Sequence, residues 1–413
     1  MNEHSIATPD QHAHELEALE LIEHPTVKEA YARVKAEWLK KADPSPAMMA
    51  CFDWAFHEVM FSAAVWSSNQ DPLRPKVVTI TRLAHPVGDV DIPGSRWGID
   101  NPDSIYRVIP ISGDEEYRIH GRVGENRMTE NYFTLWDENM NTVDVLSGHD
   151  LVLNEDRTFT ISVDSEPANG RPNHVRSAPE AHEFYIRDVM LDWSCDEPNE
   201  LSVERLGPAP QTPAKTPDEQ AELTAQFMAH YADFTHRLSQ GSLHGKANRF
   251  SLGWSADTGG ALRKQVYVGG HFQLGEDEAF VIHVSDGGAA YFVVPIANIW
   301  GTTLEIVDRT SSLNKAQSVA NPDGTYTYVL SRNDPGVHNW LDTCDMNEGM
   351  LTLRMAEFPE GGPREDLAAR GEVVKLADLP SSLPEGTAFL SPAERSEQQA
   401  SRAAGYKRRL PEV

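Results

Sequence analysis

Two stretches of this 413-residue chain, 105–193 and 268–358, run through the same succession of strand patterns. A repeated pattern has to be buried twice in the same way, so the repetition constrains the fold before any single motif is weighed. Without a gap, Tyr106-Arg107-Val108-Ile109 lies over Gly269-Gly270-His271-Phe272, and Tyr117-Arg118-Ile119-His120 falls on Phe280-Val281-Ile282-His283. Further on, Thr158-Phe159-Thr160-Ile161 corresponds to Thr325-Tyr326-Thr327-Tyr328. Both copies close on an alternating run, Phe184-Tyr185-Ile186-Arg187 and Leu351-Thr352-Leu353-Arg354, and the step from Thr158 to Arg187 equals that from Thr325 to Arg354.

Composition narrows the partners. Asp and Glu number 63 against 36 Lys and Arg, a formal net charge of -27 that would repel a phosphate backbone, so nucleic acid is excluded as a partner. Cys51, Cys195 and Cys344 stand apart with no CxxC spacing, which suits a reducing compartment and small buried hydrophobes more than nucleophiles. His12, His14, Glu15, Glu17, Glu20 and Glu23 interrupt any secretory leader. No run elsewhere approaches the roughly 18 apolar residues of a membrane crossing. The expectation is a soluble, cytoplasmic protein with no membrane partner.

The period of the apolar residues then sets the segments. Residues 1–75 read as helical: Val27, Tyr31, Val34 and Trp38 recur at helical spacing, and Ser45-Pro46 opens a second helix carrying Met49, Phe52, Phe56 and Val59 on one face. That stripe suits packing on a sheet better than lining a pocket. From 76 to 205 the period is two, and short strands are predicted at 77–83, 105–111, 117–123, 131–136, 143–152, 158–163 and 184–191. Residues 206–245 hold a proline-rich linker and a bridging helix opened by the Thr216-Pro217-Asp218-Glu219 capping pattern. A second β unit is predicted over 246–359, with strands at 265–274, 279–285, 290–296, 304–307, 325–331 and 350–355. Residues 360–413 read as an irregular polar tail ending in a helix that reaches onto a neighbouring domain or subunit, or frays. The fold class is mainly β: two tandem sandwich units with helices before, between and after them.

No Walker loop, dinucleotide GxGxxG, GxSxG elbow or HExxH is present, so no cofactor is implied. The Gly269-Gly270-His271 to His283 segment lacks the spacing of a cupin metal site. Asp342, Asp345, Asn347 and Glu348 form an oxygen-rich cluster that calcium would fit, although a solvated turn has the same composition. Two segments concentrate reactive and stacking side chains. One runs from Arg96 to Arg107 and offers Asp100 and Asp103 as acids or bases, with Trp97, Asn101, Tyr106 and Arg107 as binding groups. The other is Pro335-Gly336-Val337-His338-Asn339-Trp340-Leu341-Asp342, in which His338 and Asp342 would act as acid or base and Asn339 and Trp340 would bind. Turn chemistry and strand corners explain both segments equally well.

The stretch from Asp323-Gly324-Thr325-Tyr326-Thr327 through Asp334-Pro335-Gly336-Val337-His338-Asn339-Trp340-Leu341-Asp342 to Leu353-Arg354 resembles the closing segment of a bacterial jelly-roll family still classed as a domain of unknown function. The resemblance implies a double jelly roll, an architecture shared with some viral capsid proteins and trimeric carbohydrate hydrolases, and hence a homo-oligomer, with a trimer favoured. It carries no catalytic assignment. Three functions stay open. The first is a carbohydrate-active enzyme, with Trp97, Trp136, Trp254, Trp300 or Trp340 stacking on sugars and a carboxylate pair drawn from Asp100, Asp103, Asp188, Asp342 and Glu348. The second is a cofactor-independent enzyme acting on an apolar small molecule, with His338 or Asp342 as acid or base in a Met- and Phe-lined pocket. The third is a non-catalytic assembly or binding protein.

Overall fold

The computed structural model describes residues 5–254 and 265–410, apart from the side chains of 252–254. Four helices come first: α1 (Pro9–Glu23), α2 (Pro25–Ala42), α3 (Pro46–Ala50) and α4 (Phe52–Ser68). The first three begin with proline one residue after a side-chain cap, Thr8, His24 and Ser45, because proline has no N–H to leave unpaired there. Helix α4 is apolar nearly all round and runs through the interior.

The first β unit contains β1 (Val78–Thr79), β2 (His85–Val87), β3 (Val90–Ile92), β4 (Ser104–Pro110), β5 (Tyr117–Arg122) and β6 (Glu130–Asp137). It continues with β7 (Thr142–Ser147), β8 (Thr158–Asp164), β9 (His174–Arg176), β10 (Ala181–Val189) and β11 (Glu200–Arg205). Helix α5 (Pro217–Leu243) follows, opened by the expected reciprocal Thr216–Glu219 cap. The second unit has β12 (Arg249–Trp254), β13 (Val266–Gln273), β14 (Glu278–Ser285), β15 (Tyr291–Ala297) and β16 (Ser312–Asn314). It ends with β17 (Tyr326–Ser331), β18 (Trp340–Asp342), β19 (Glu348–Ala356) and β20 (Ala368–Lys375), then α6 (Leu379–Ser382) and α7 (Pro392–Lys407).

The sheets repeat in order. β1-β4-β10-β6-β7 matches β12-β13-β19-β15-β16, and β11-β5-β8-β9 matches β20-β14-β17-β18. All pairings are antiparallel except one edge pair in each unit, β8 with β9 and β17 with β18. Residue correspondence follows from the ladders: Ser162 pairs with His174 as Val329 pairs with Trp340, and His120 and His283 each sit 3.1–3.2 Å from the matching threonine, Thr160 or Thr327. The opening strand alone is shifted. Arg187 pairs with Tyr106 and Arg354 with Tyr267, so Tyr106 matches Tyr267 rather than Gly269. A two-residue shift leaves each side chain on its expected face, which is why alternation by itself did not reveal it.

Each unit is a sandwich with its own core. Ile109, Phe133, Ile161 and Ile186 fill the first, and Val268, Ile282, Val294, Tyr328 and Leu353 the second. Sequence patterning overlooked the edge strands β11 and β20: β11 turns only Leu201 and Val203 toward the core, and β20 is largely exposed. It also placed a strand at 304–307, whereas the ladder forms at Ser312–Asn314. The outward faces of the two five-stranded sheets are not solvated: α4 and α5 cover them, and Val189 meets Tyr291, Val293 and Ala356 between the units. Helix α7 docks: Arg402 donates to the Ile306 carbonyl, Ser312 and Gln317, and Arg409 to the Pro102 carbonyl. No helix among the described residues is long and apolar enough to cross a membrane.

Under α4, Glu183 accepts hydrogen bonds from Trp66 Nε1 at 2.8 Å and Gln70 Nε2 at 3.2 Å, and burial pushes its carboxyl up to about 7 from an ordinary 4.5. The folded protein therefore keeps a proton that the unfolded chain releases between those values, so this group's contribution to stability falls as pH rises from 4.5 to about 7 and is constant beyond. Urea melts at pH 5 and pH 7.5 are expected to show a smaller difference for Glu183→Gln than for the unaltered protein.

Candidate functional site

A cavity of about 390 Å³ opens where the outward faces of the two five-stranded sheets meet beneath α5. Strand parity builds it. Tyr106 on β4, Trp136 on β6 and Tyr185 and Arg187 on β10 face outward from the first unit; Tyr267 and Gly269 on β13 and Thr352 and Arg354 on β19 face outward from the second. Phe234, Leu238 and Ser242 of α5 form the roof, and Trp97, Gly98, Ile99 and Asp100 one rim. The volume lies in the range of small-molecule sites.

The two halves are alike in one respect and different in another. A tyrosine faces an arginine across the ladder in each unit, Tyr106 with Arg187 and Tyr267 with Arg354. Where the first unit has Val108, Trp136 and Tyr185, however, the ladder positions of the second hold Gly269, Ala297 and Thr352. A Cβ on Gly269 would lie 3.7 Å from Ser242 Oγ, in ordinary van der Waals contact, so α5 leaves space there for a small side chain and little more. The large residues form a stacked wall: the Trp136 and Tyr185 rings lie 4.2 Å apart, and the Arg187 guanidinium rests 4.5 Å from the Tyr185 ring centre.

Arg354 is the unusual group. Its Nη1 donates to the Tyr106 hydroxyl at 3.2 Å, its Nη2 to the Ile99 carbonyl, and its buried Nε has no hydrogen-bond partner. No carboxylate among the described residues forms an ion pair with it. The nearby acid is Glu130, which burial first, and then Glu357, pushes up to about 8, so that it is neutral at pH 7. Glu130 accepts from Gln265, which accepts in turn from the Tyr267 hydroxyl at 2.5 Å. A guanidinium stays charged at any ordinary pH, so a buried positive charge faces the cavity.

The rim is strained. Ile99 has φ +58, a region that β-branched residues rarely enter, next to Gly98 at φ +65. Two cross-unit bonds hold it there, Ile99 N–H to the Gly301 carbonyl at 2.7 Å and Arg354 to the Ile99 carbonyl. Strain of this kind gathers at functional sites.

The residues singled out from sequence fall into three places. From the Arg96 to Arg107 segment, Trp97, Asp100 and Tyr106 line the cavity. Asn101 and Asp103 do not; they join the units, Asn101 donating to Tyr291 and Asp103 accepting from Trp193, Tyr291 and Asn314 at 2.8–2.9 Å. Asp100 is committed to Thr303 through two bonds. Arg107 points into the first sandwich and pairs with Asp188. The other corner lies elsewhere and satisfies itself: Asp342 accepts from Arg309 at 2.7 and 2.8 Å, Asn339 bonds Val319 and Thr327 backbone, His338 Nδ1 meets Asn339 Oδ1 at 3.0 Å, and Trp340 donates to the Ser331 carbonyl. Arg309 also takes Asp345, and Glu348 accepts from Ser45, so the oxygen cluster is divided among cations and caps. Among the described residues no group of three or more His, Cys, Asp or Glu is arranged around a metal position.

Of the tryptophans, Trp97 and Trp136 line the cavity, Trp300 is core and donates to the Met48 carbonyl, and the Trp254 side chain lies outside the described residues. Burial pushes the Cys51 thiol up to about 11 and the Cys344 thiol up to about 12, so neither supplies a thiolate at neutral pH. A second cleft, about 490 Å³ near the start of α5, is lined by paired charges, Arg74 with Asp71 and Lys76 with Asp10, together with Glu20 and Lys215.

Arg187, Arg354, Tyr185 and Tyr267 were not proposed from sequence as site residues. Their signal was present: an arginine at the same place in both copies, on the face opposite the sandwich core.

No family model matches this chain, and no curated protein matches it. Among solved structures, an uncharacterised protein from Burkholderia cenocepacia is similar, with a TM-score of 0.73 and 24% identity over 87% of this chain and 99% of that one. The VPA0106 protein from Vibrio parahaemolyticus overlaps less well, with a TM-score of 0.42 and 11% identity over 78% of this chain and 99% of that one. The first likeness establishes a shared fold.

Proposed function

We propose that the protein binds a small, flat, apolar organic anion in the cavity between its two sandwiches. One observation carries the reading: Arg354 presents a buried positive charge, with an unpartnered Nε and no ion pair among the described residues, beside a Glu130 that is itself neutral at pH 7, to a cavity walled by Trp97, Trp136 and Tyr185. A buried cation without a counter-ion is costly, and an anionic ligand would relieve that cost. The aromatic wall supplies contact area for a planar body. This favours the ligand class of the apolar small-molecule expectation, but not the His338 and Asp342 it named, which lie in the other corner. The carbohydrate expectation gains little from the acids it named, because Asp103, Asp188, Asp342 and Glu348 each have separate partners away from the cavity, and Asp100 is held by Thr303. We also read the twin sandwiches as a variant of the double jelly roll, each with a parallel edge pair added.

The test is calorimetric titration with 2-naphthoate, with glucuronate as the sugar-acid comparison. Naphthoate is expected to bind and glucuronate not to. Arg354→Met is expected to weaken naphthoate binding by about tenfold or more, since hydrogen bonds to charged groups contribute about 1.5–3 kcal/mol. Asp342→Asn serves as a control: it breaks the pair with Arg309, lowers the melting temperature, and leaves naphthoate affinity unchanged. Equal binding by the unaltered protein and Arg354→Met would sink the proposal, and binding of glucuronate alone would favour the carbohydrate reading.

Glu130 sets a pH dependence. Below about 8 its carboxyl is neutral; above that it ionises beside Arg187 and Arg354 and competes with the ligand's charge. Naphthoate stays ionised throughout, so its affinity is expected to fall as pH rises from 7 to 9. Glu130→Gln is expected to flatten that profile in the same titration.

A further inference from the structure

The inference rests on the pocket reading and concerns which side chain receives the ligand's oxygen. A phenol oxygen has two lone pairs and one proton to use. At Tyr106 both lone pairs are occupied: Asn101 N–H donates to its oxygen at 3.1 Å and Arg354 Nη1 at 3.2 Å. Its own proton remains, and no acceptor among the described residues takes it. The ring has little freedom to turn, being buried and 5.5 Å from the Tyr185 ring, and the residue lines the cavity.

The duplication supplies a comparison within one molecule. Tyr267 occupies the matching ladder position but gives its proton to Gln265 at 2.5 Å. Tyr132 gives its proton to Glu357 at 2.5 Å, and Tyr291 to Asp103 at 2.8 Å. Of Tyr106, Tyr132, Tyr267 and Tyr291, Tyr106 alone keeps an uncommitted O–H among the described residues, and Arg354 stands beside it, donating to its oxygen.

We propose that Tyr106 is the specificity-determining donor: its O–H and the Arg354 guanidinium together form an oxyanion corner that takes a carboxylate, phenolate or enolate oxygen while the ligand's body lies on the Trp136–Tyr185 wall. The ligand atom must be an acceptor, because the corner offers only donors, and the guanidinium charge favours one that is negative. Arg354 performs two tasks, supplying charge and fixing the direction of the tyrosine's proton by occupying one of its lone pairs.

The experiment uses the full chain, Tyr106→Phe, and two probes: 2-naphthoate and 2-methylnaphthalene, which has the same rings and no oxygen. Loss of one hydrogen bond to a charged oxygen is expected to weaken naphthoate about tenfold and leave methylnaphthalene within about twofold. If Tyr106→Phe binds naphthoate as the unaltered protein does, the donor assignment is wrong and the pocket reading stands. Equal losses for both probes would mean the tyrosine only shapes the wall, which also overturns the assignment. If the unaltered protein binds neither probe, the pocket reading fails and this inference with it. Should Tyr106→Phe not fold, the Tyr106 hydroxyl proton of the unaltered protein is followed by NMR: a downfield shift with naphthoate but not with methylnaphthalene is expected, and no difference between the probes overturns the assignment.

Discussion

The segment from Arg96 to Tyr106 joins the two sandwiches, and the cavity exists because of how it does so. Its central group is Asp103, fully buried and accepting from Trp193 of the first unit and from Tyr291 and Asn314 of the second. Burial pushes its carboxyl up, while Arg409 and the three donors oppose that shift. A buried carboxylate with so many fixed donors holds their relative positions closely, because each lost bond would leave a buried polar group unsatisfied. Around it, Arg96 bridges Glu58 to the Thr303 and Leu304 carbonyls, and Asp100 holds Thr303. The strained Ile99 is the last link of this join, and it places a carbonyl within reach of Arg354.

Duplication explains why a polar cavity survives between two sheets that could have packed face to face. Each copy retains a tyrosine and an arginine on its outward face, a pattern unsuited to a dry interface. The copies then diverged around them. The first has bulky aromatics that stack, and the second has glycine, alanine and threonine where α5 lies close. The hydrogen bonds are also asymmetric, with Arg354 crossing to Tyr106 of the other unit while Tyr267 turns toward Gln265 and Glu130.

Much of the scaffold was legible from the chain. The period-two runs located β4, β5, β6, β8 and β10 and their counterparts, and the shared Thr158-to-Arg187 spacing carried the closing strands into correct register. Edge strands β11 and β20 were missed: β11 does alternate, but only Leu201 and Val203 carry its apolar signal, and β20 is largely exposed and charged. Half of one candidate segment proved to line the cavity, through Trp97, Asp100 and Tyr106. The corner at His338 to Asp342 looked reactive because His, Asn, Trp and Asp stand close in sequence, yet each of those polar groups has a partner within the corner or on Arg309 and neighbouring backbone.

The sequence by itself determined that two like β units exist, where the helices fall, and which residues of each strand share a face, since these depend on local period and capping chemistry. Only the tertiary structure decided which outward faces meet, because that depends on contacts between residues more than a hundred positions apart, such as Tyr106 with Arg354 and Asp103 with Asn314. A site made from opposite ends of the chain leaves no contiguous motif. What it left was one arginine, repeated at the same step in both copies, whose place beside a cavity between the units appeared only in the folded chain.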